Sequence, residues 1–280
     1  MPSPLRVASA RSEHPQSAFG QLLRQWRVRR RMSQLALSIE AEISTRHVSF
    51  LETGRAQPSR EMVVLLAKVL NVPLRQRNDL LTTAGYAPSY RETGLDAPAM
   101  AQLHRAFDFI LQQQEPYPTL LLDRHWNVLK VNEGSARIQN YFLDPVAVAE
   151  LGPANAMRLM FHPKAFRPYI VNWHATAASL IQWLHRDALN GAEDDGTHGL
   201  LEELLSYPDV PRHWHEPDLM ALPSPFLTIH FHKHELDLRF FTTLTSLGTP
   251  YDITLHGLRI ESYFPADEAT EASLRHLNNS

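Results

Sequence analysis

The sequence predicts two domains in tandem: an all-α bundle of five short helices over residues 17–85, and an α+β domain over 98–280 built on a five-stranded antiparallel sheet. Three observations predict this. Apolar residues recur at helical spacing through five segments before Gly85. Period-two apolar runs appear only beyond Pro118. Charge divides in the same way, with 11 Arg and Lys against 5 Asp and Glu in residues 17–85, and 14 against 24 in residues 86–280. A basic module beside an acidic one suits a polyanion-binding unit joined to a unit with another task.

Composition excludes several classes. At 280 residues and 44% hydrophobic, the chain is long enough for two cores. With no cysteine, there is neither a disulfide framework nor a thiolate nucleophile or metal site. Residues 1–16 hold no apolar run of signal-peptide length and read as a flexible arm. No stretch approaches the roughly 18 apolar residues of a membrane span. A cytoplasmic protein without a membrane partner is the expectation.

In the first domain, Phe19, Leu22, Leu23 and Trp26 repeat at i, i+3, i+4 and i+7, a first helix that ends in Arg29-Arg30-Arg31. Ser33 caps a second helix with Leu35, Ala36 and Ile39 expected inward, and Gln34 in its first turn near exposed N–H groups that could meet a phosphate. Ser44 caps a third helix across an elbow. A wheel centred on Val48 places Leu51 and Ser44 within about 60° as the buried line, and assigns Thr45, Arg46, Ser49 and Phe50 to the outward arc. One guanidinium, hydroxyls and a ring on one exposed face suit base edges in a DNA groove. Gly54 reads as the C′ residue. Ser59 caps a fourth helix with Met62, Leu65, Leu66 and Val69 inward, and a fifth runs from Leu74 to Ala84 with Pro73 before it and Gly85 after it.

The stretch GYAPSYRETGLDAP (85–98) is rich in Pro and Gly, and residues 86–97 read as a linker. A helix follows from Pro98, with Met100, Leu103, Phe107, Ile110 and Leu111 on one side. PTLLLD and WNVLKVN then read as a hairpin, and Asn132 as the cap of a helix over 133–141. Helices follow at 155–161, 173–189 and 200–207. FLTIHFHK, LDLRFFTTLTSL and LRIESYF read as three strands, and a final helix covers 267–277. The helices are expected on one face of the sheet.

The run from Phe19 to Gly85, with Gln34 opening helix two and Leu51-Glu52-x-Gly54-Arg55 closing helix three, resembles the helix-turn-helix domain of the Cro/cI-type (XRE) regulators. That resemblance implies a clamp between Arg27 and Glu52. It also implies phosphate contacts from Gln34, Arg55 and some of Arg29 to Arg31, and base contacts from Thr45, Arg46, Ser49 and Phe50. The later chain, through RLMFHP (158–163), Asn172-Trp173, the stretch 246–270 and the phrase AGYAPSYRET (84–93), resembles the MmyB-like ligand-binding domain, itself similar to a PAS fold. The joint resemblance implies a transcription regulator, a double-stranded operator as partner, a homodimer, and a small apolar or fatty-acid-like effector.

An effector pocket would sit between sheet and helices. Its expected lining is Trp126, Phe161, Trp173, Phe240 and Tyr263, with Arg167 or Asn172 as anchor and plain core as the alternative role. His230, His232 and His234 alternate along a strand and could share a metal, and His213 with His215 is a weaker pair. Leu227, Ile229 and Phe231 claim the buried face instead, so no metal or other cofactor is expected. No nucleophile elbow or glycine-rich phosphate loop is present, so the chain is not expected to be an enzyme. Two rivals stay open: a second domain that serves only dimerisation or protein interaction, and an enzyme fused to a DNA anchor.

Overall fold

The computed structural model describes residues 17–190, 196–212, 214, 227–247 and 252–278. The expected N-terminal arm, His213 and His215 lie outside the described residues. The chain divides into two compact units, Met1–Arg91 and Glu92–Ser280.

The first unit holds α1 (Ala18–Arg29), α2 (Gln34–Glu40), α3 (Thr45–Glu52), α4 (Arg60–Val69) and α5 (Leu74–Thr83). Four of the five begin on a serine whose hydroxyl accepts from a first-turn amide: Ser17, Ser33, Ser44 and Ser59. Each satisfies a donor the helix cannot pair internally. Pro73 precedes α5 without a side-chain cap bond. Phe19, Leu23, Trp26, Leu37, Val48, Leu51, Val63, Leu66 and Leu80 fill one core.

Two helical phases differ from the sequence expectation. In α2 the buried side chains are Leu37 and Ser38, while Leu35 and Ile39 are 59% and 67% exposed. In α4, Val63, Leu66, Ala67 and Leu70 are buried and Leu65 is exposed. Both helices are two to three turns or less, so a neighbour's position can rotate the buried line by one residue. Ser44 is likewise exposed, as its capping role requires. The segment read as a linker also packs: the Tyr86 hydroxyl donates to Pro58 O at 2.9 Å, and Asn78 Oδ1 accepts from the amides of Ser89 and Tyr90.

The second unit is organised by a five-stranded antiparallel sheet in the order β2-β1-β5-β4-β3. Its strands are β1 (Thr119–Leu122), β2 (Val128–Val131), β3 (Thr228–Lys233), β4 (Leu236–Ser246) and β5 (Arg259–Pro265). The helices are α6 (Ala101–Gln113), α7 (Glu133–Phe142), α8 (Pro145–Ala149), α9 (Ala156–Phe161), α10 (Trp173–Asn190), α11 (Thr197–Ser206), α12 (Ile253–His256) and α13 (Glu268–Asn278).

Helices cover both faces of the sheet, not one. Leu120, Leu122, Ile229, Phe231, Leu238 and Phe240 pack into the main core with residues of α7, α9, α10 and α11. On the reverse, Leu121 and Ile260 pack with Leu258 and with Phe107 of α6. Hence all four residues of β1 are buried, which period-two patterning alone does not anticipate.

Asn132 fastens this frame. Its Oδ1 accepts from Thr119 N at 3.0 Å and Ser135 N at 2.9 Å, capping α7 onto β1. Gly134 sits so close that an added Cβ would lie 2.5 Å from Pro116 O.

Candidate functional site

Two regions stand out, one polar and one mostly apolar. The first is the outward side of α3. Arg46 is exposed and its guanidinium carbon lies 5.0 Å from the centre of the Phe50 ring, one turn on. A cation over a ring at that spacing holds the long side chain along the helix. Ser49 is half-buried beside them, and Arg55 is exposed just past Gly54, whose φ of 74° lets the chain turn away. Thr45 does not share that arc. It lies three residues before Val48, about 60° from the buried line, and its hydroxyl meets Ser38 Oγ at 2.9 Å.

Arg27 and Glu52 meet as a fork: Nε donates to Oε1 at 2.6 Å and Nη2 to Oε2 at 3.0 Å. This hydrogen bond raises the Arg27 pKa above its ordinary value despite the opposing effect of burial. Gln34 Nε2 also donates to Glu52 Oε2, at 2.7 Å, so its amide braces the clamp. Among the basic run, Arg30 donates to Leu70 O and Asn71 O, both at 2.8 Å, closing the C-terminal end of α4.

The second region is a cavity of about 50 Å³ between the sheet and α7 and α9. Its lining includes Leu120, Ser135, Gln139, Leu159, Phe240 and Tyr263. Of the seven residues expected around a ligand, the structure brings only Phe240 and Tyr263 to it. Trp126 is buried between the Trp183 ring, stacked at 6.3 Å, and the Arg259 guanidinium at 5.2 Å. Phe161 and Trp173 pack edge to face at 5.0 Å, with Arg167 over the Trp173 ring at 4.4 Å. Asn172 substitutes for a neighbouring strand: its Oδ1 accepts from His230 N and its Nδ2 donates to Thr228 O, each at 2.9 Å.

Sequence reasoning missed Glu261. This carboxyl on β5 is 3% exposed. It stands on the cavity side of the sheet, opposite Leu120 on β1 and Leu244 on β4. Burial pushes its pKa up to about 7, partly opposed by hydrogen bonding from the nearby Tyr263 hydroxyl. Burial and Glu261 together push the Tyr263 phenol well above its ordinary value. Opposite Tyr263 on β4, Thr242 Oγ1 is buried without a hydrogen-bond partner. A weak signal existed, since period-two reading of LRIESYF places Glu261 in phase with Tyr263.

Two of the three strand histidines meet, at one carboxylate oxygen, and the third stands apart from them. His230 Nε2 lies 2.8 Å from Asp237 Oδ2 and His232 Nδ1 3.4 Å from the same atom, while His234 is in the β3–β4 turn with φ 53°. Hydrogen bonding from His230 holds Asp237 below its usual range. Among the described residues no group of three His, Asp or Glu side chains is placed to hold a metal, and no helix is long and apolar enough to cross a membrane.

Residues 18–80 match a helix-turn-helix domain model, and residues 103–277 match that of the MmyB-like transcription regulator ligand binding domain. No curated protein matches the chain. A solved structure titled as an RNA-binding Light-Oxygen-Voltage receptor is 12% identical, with 93% of this chain and 65% of that one covered, at a TM-score of 0.29. So low a score carries no structural argument, and the chain spans just under two thirds of that protein's length. The family match extends over more than half the chain and falls on the unit that holds the cavity, with a helix-turn-helix domain before it: the protein belongs to the MmyB-like transcription regulators.

Proposed function

We propose that this chain is a sequence-specific DNA-binding regulator, acting as a homodimer in the cytoplasm, whose second unit senses a small apolar effector. The observation that carries the first half is the exposed Arg46 held along α3 by Phe50, in a unit with a basic excess. Arg46 would read guanine, because a guanidinium engages O6 and N7 together. Arg55 would hold phosphate, which contributes affinity without sequence information.

The mostly apolar cavity beside Phe240 and Tyr263 supports the second half. An apolar occupant, a fatty acid being one class, would shift the protein between arrangements of unequal operator affinity. No catalytic step is assigned to either unit. The small volume favours one rival, a second unit that serves only dimerisation. Selection of duplexes from a random pool by the full chain, followed by native mass spectrometry for co-purified small molecules, separates them. Enrichment of no sequence would overturn the DNA-reading assignment. A protein that selects operators yet responds to no apolar additive would leave the dimerisation rival standing.

A further inference from the structure

We propose that Gln139 selects the occupant of the cavity: a short amphiphile that enters tail first and whose uncharged head, a primary amide or an alcohol, both donates to and accepts from the Gln139 amide at the mouth. The inference rests on the reading of this cavity as the effector site and names the chemistry of its ligand.

Burial locates the mouth. Ten of the twelve residues that line the cavity are buried, and the other two, Gln139 of α7 and Tyr263 of β5, are half-buried. Away from those two the lining is apolar, with Leu120, Leu159, Phe231 and Phe240 among it. The inner hydroxyl, that of Ser135, donates to Thr119 O at 3.0 Å. A polar head placed there would lose its water without gaining a partner, whereas an alkyl tail loses nothing by burial. A volume of about 50 Å³ holds roughly four groups of water or methylene size, so the tail is short.

At the mouth the two polar side chains differ. The Tyr263 hydroxyl is hydrogen-bonded to Glu261. The Gln139 side-chain amide makes no hydrogen bond among the described residues. It carries two donor hydrogens and an acceptor oxygen. A head that both gives and takes therefore meets it at two points. A carboxylate can only accept, and no charged residue lines the cavity to offset its desolvation. The cations around α7 are already engaged: Arg137 with Glu115 at 2.7 Å, and Lys233 with the carbonyls of Tyr141 and Phe142 at 2.7 and 3.0 Å.

The test is titration calorimetry on the full chain at pH 8, where hexanoate is ionised, with hexanamide, hexan-1-ol and hexanoate as probes of equal chain length. Hexanamide should bind about tenfold more tightly than hexanoate, with hexan-1-ol between them. Gln139→Leu, which keeps a good helix former of similar size, should weaken hexanamide about tenfold. Gln139→Glu should bind hexylamine more tightly than wild type does, a gain that a merely structural role for residue 139 would not produce, and it serves if Gln139→Leu does not fold. Hexanoate binding as tightly as hexanamide, a hexanamide preference that survives Gln139→Leu, or no gain for hexylamine in Gln139→Glu overturns the proposal while leaving the cavity as a site. Failure of all three probes to bind wild type, the uncharged hexan-1-ol included, overturns the cavity reading and the proposal with it. Leu159→Trp, which fills the space, should abolish binding of every probe; unchanged binding would place the probes elsewhere and has the same consequence.

Discussion

Arg27 of α1 and Glu52 of α3, 25 residues apart in sequence, form a two-point ion pair whose side chains are 11% and 3% exposed. Truncating one partner leaves the other charge buried. Glu52→Ala should therefore destabilise the first unit by about 3 kcal/mol, and Gln34→Ala by about 1 kcal/mol. Urea denaturation of the full chain, with Trp126, Trp173, Trp183 and Trp214 replaced by Phe so that emission reports Trp26, measures both. Equal midpoints for wild type and Glu52→Ala would refute the clamp.

Arg46→Ala should cost about 1–3 kcal/mol on the selected operator and almost nothing on random duplex. Arg55→Ala should weaken both alike and reduce the salt slope of binding by about one unit. Fluorescence anisotropy over a salt series distinguishes these outcomes. Identical losses on operator and random duplex in Arg46→Ala would remove its base-reading role.

Gly20 offers a contest between two magnitudes. Replacing a glycine in a helix with alanine ordinarily gains up to about 1 kcal/mol, and Gly20 lies in the first turn of α1. Here the new Cβ would lie 2.5 Å from Glu52 O and 2.6 Å from Leu51 O, and overpacking of that kind costs about 3 kcal/mol. The clash wins, so Gly20→Ala should lower the melting temperature of the first unit and lengthen no helix. A rise in that temperature would show that α1 and α3 can part without loss.

Much of the first unit was legible because its information is local. The serine caps sit beside the turns they close, and each needs only the amide three residues on. The buried phase of α2 and α4 was not local. Leu35 and Ile39 are as apolar as Leu37, and only the placement of α1 and α3 decides which of them is covered. The bond from the Gln34 amide to Glu52 was not legible for a related reason, because its partner lies 18 residues away. In the second unit the strands were legible from alternation, but a carboxyl on a strand reads as solvated. The burial of Glu261 depends on β1 and β4 flanking it on either side.

The pH dependence of stability follows from that burial. The folded state holds a proton on Glu261 up to about pH 7, while the unfolded chain releases it near 4.5. The penalty is absent below 4.5, grows between 4.5 and 7, and is constant above. It amounts to roughly 3 kcal/mol. Arg259, the nearest cation along β5, is tied to Asp187. Wild type should thus lose stability from pH 5 to pH 8, and Glu261→Gln should lose less. Parallel profiles for the two proteins in denaturant titrations would contradict this assignment.

The double covering of β1 links the cavity to the chain upstream. Leu120 borders the cavity, and its immediate neighbour Leu121 rests on Phe107 of α6. The two leucines are consecutive residues of one strand and point to its opposite faces. The wall of the cavity is a single strand thick, and the helix leaning on its outer surface is the first long helix after the helix-turn-helix unit.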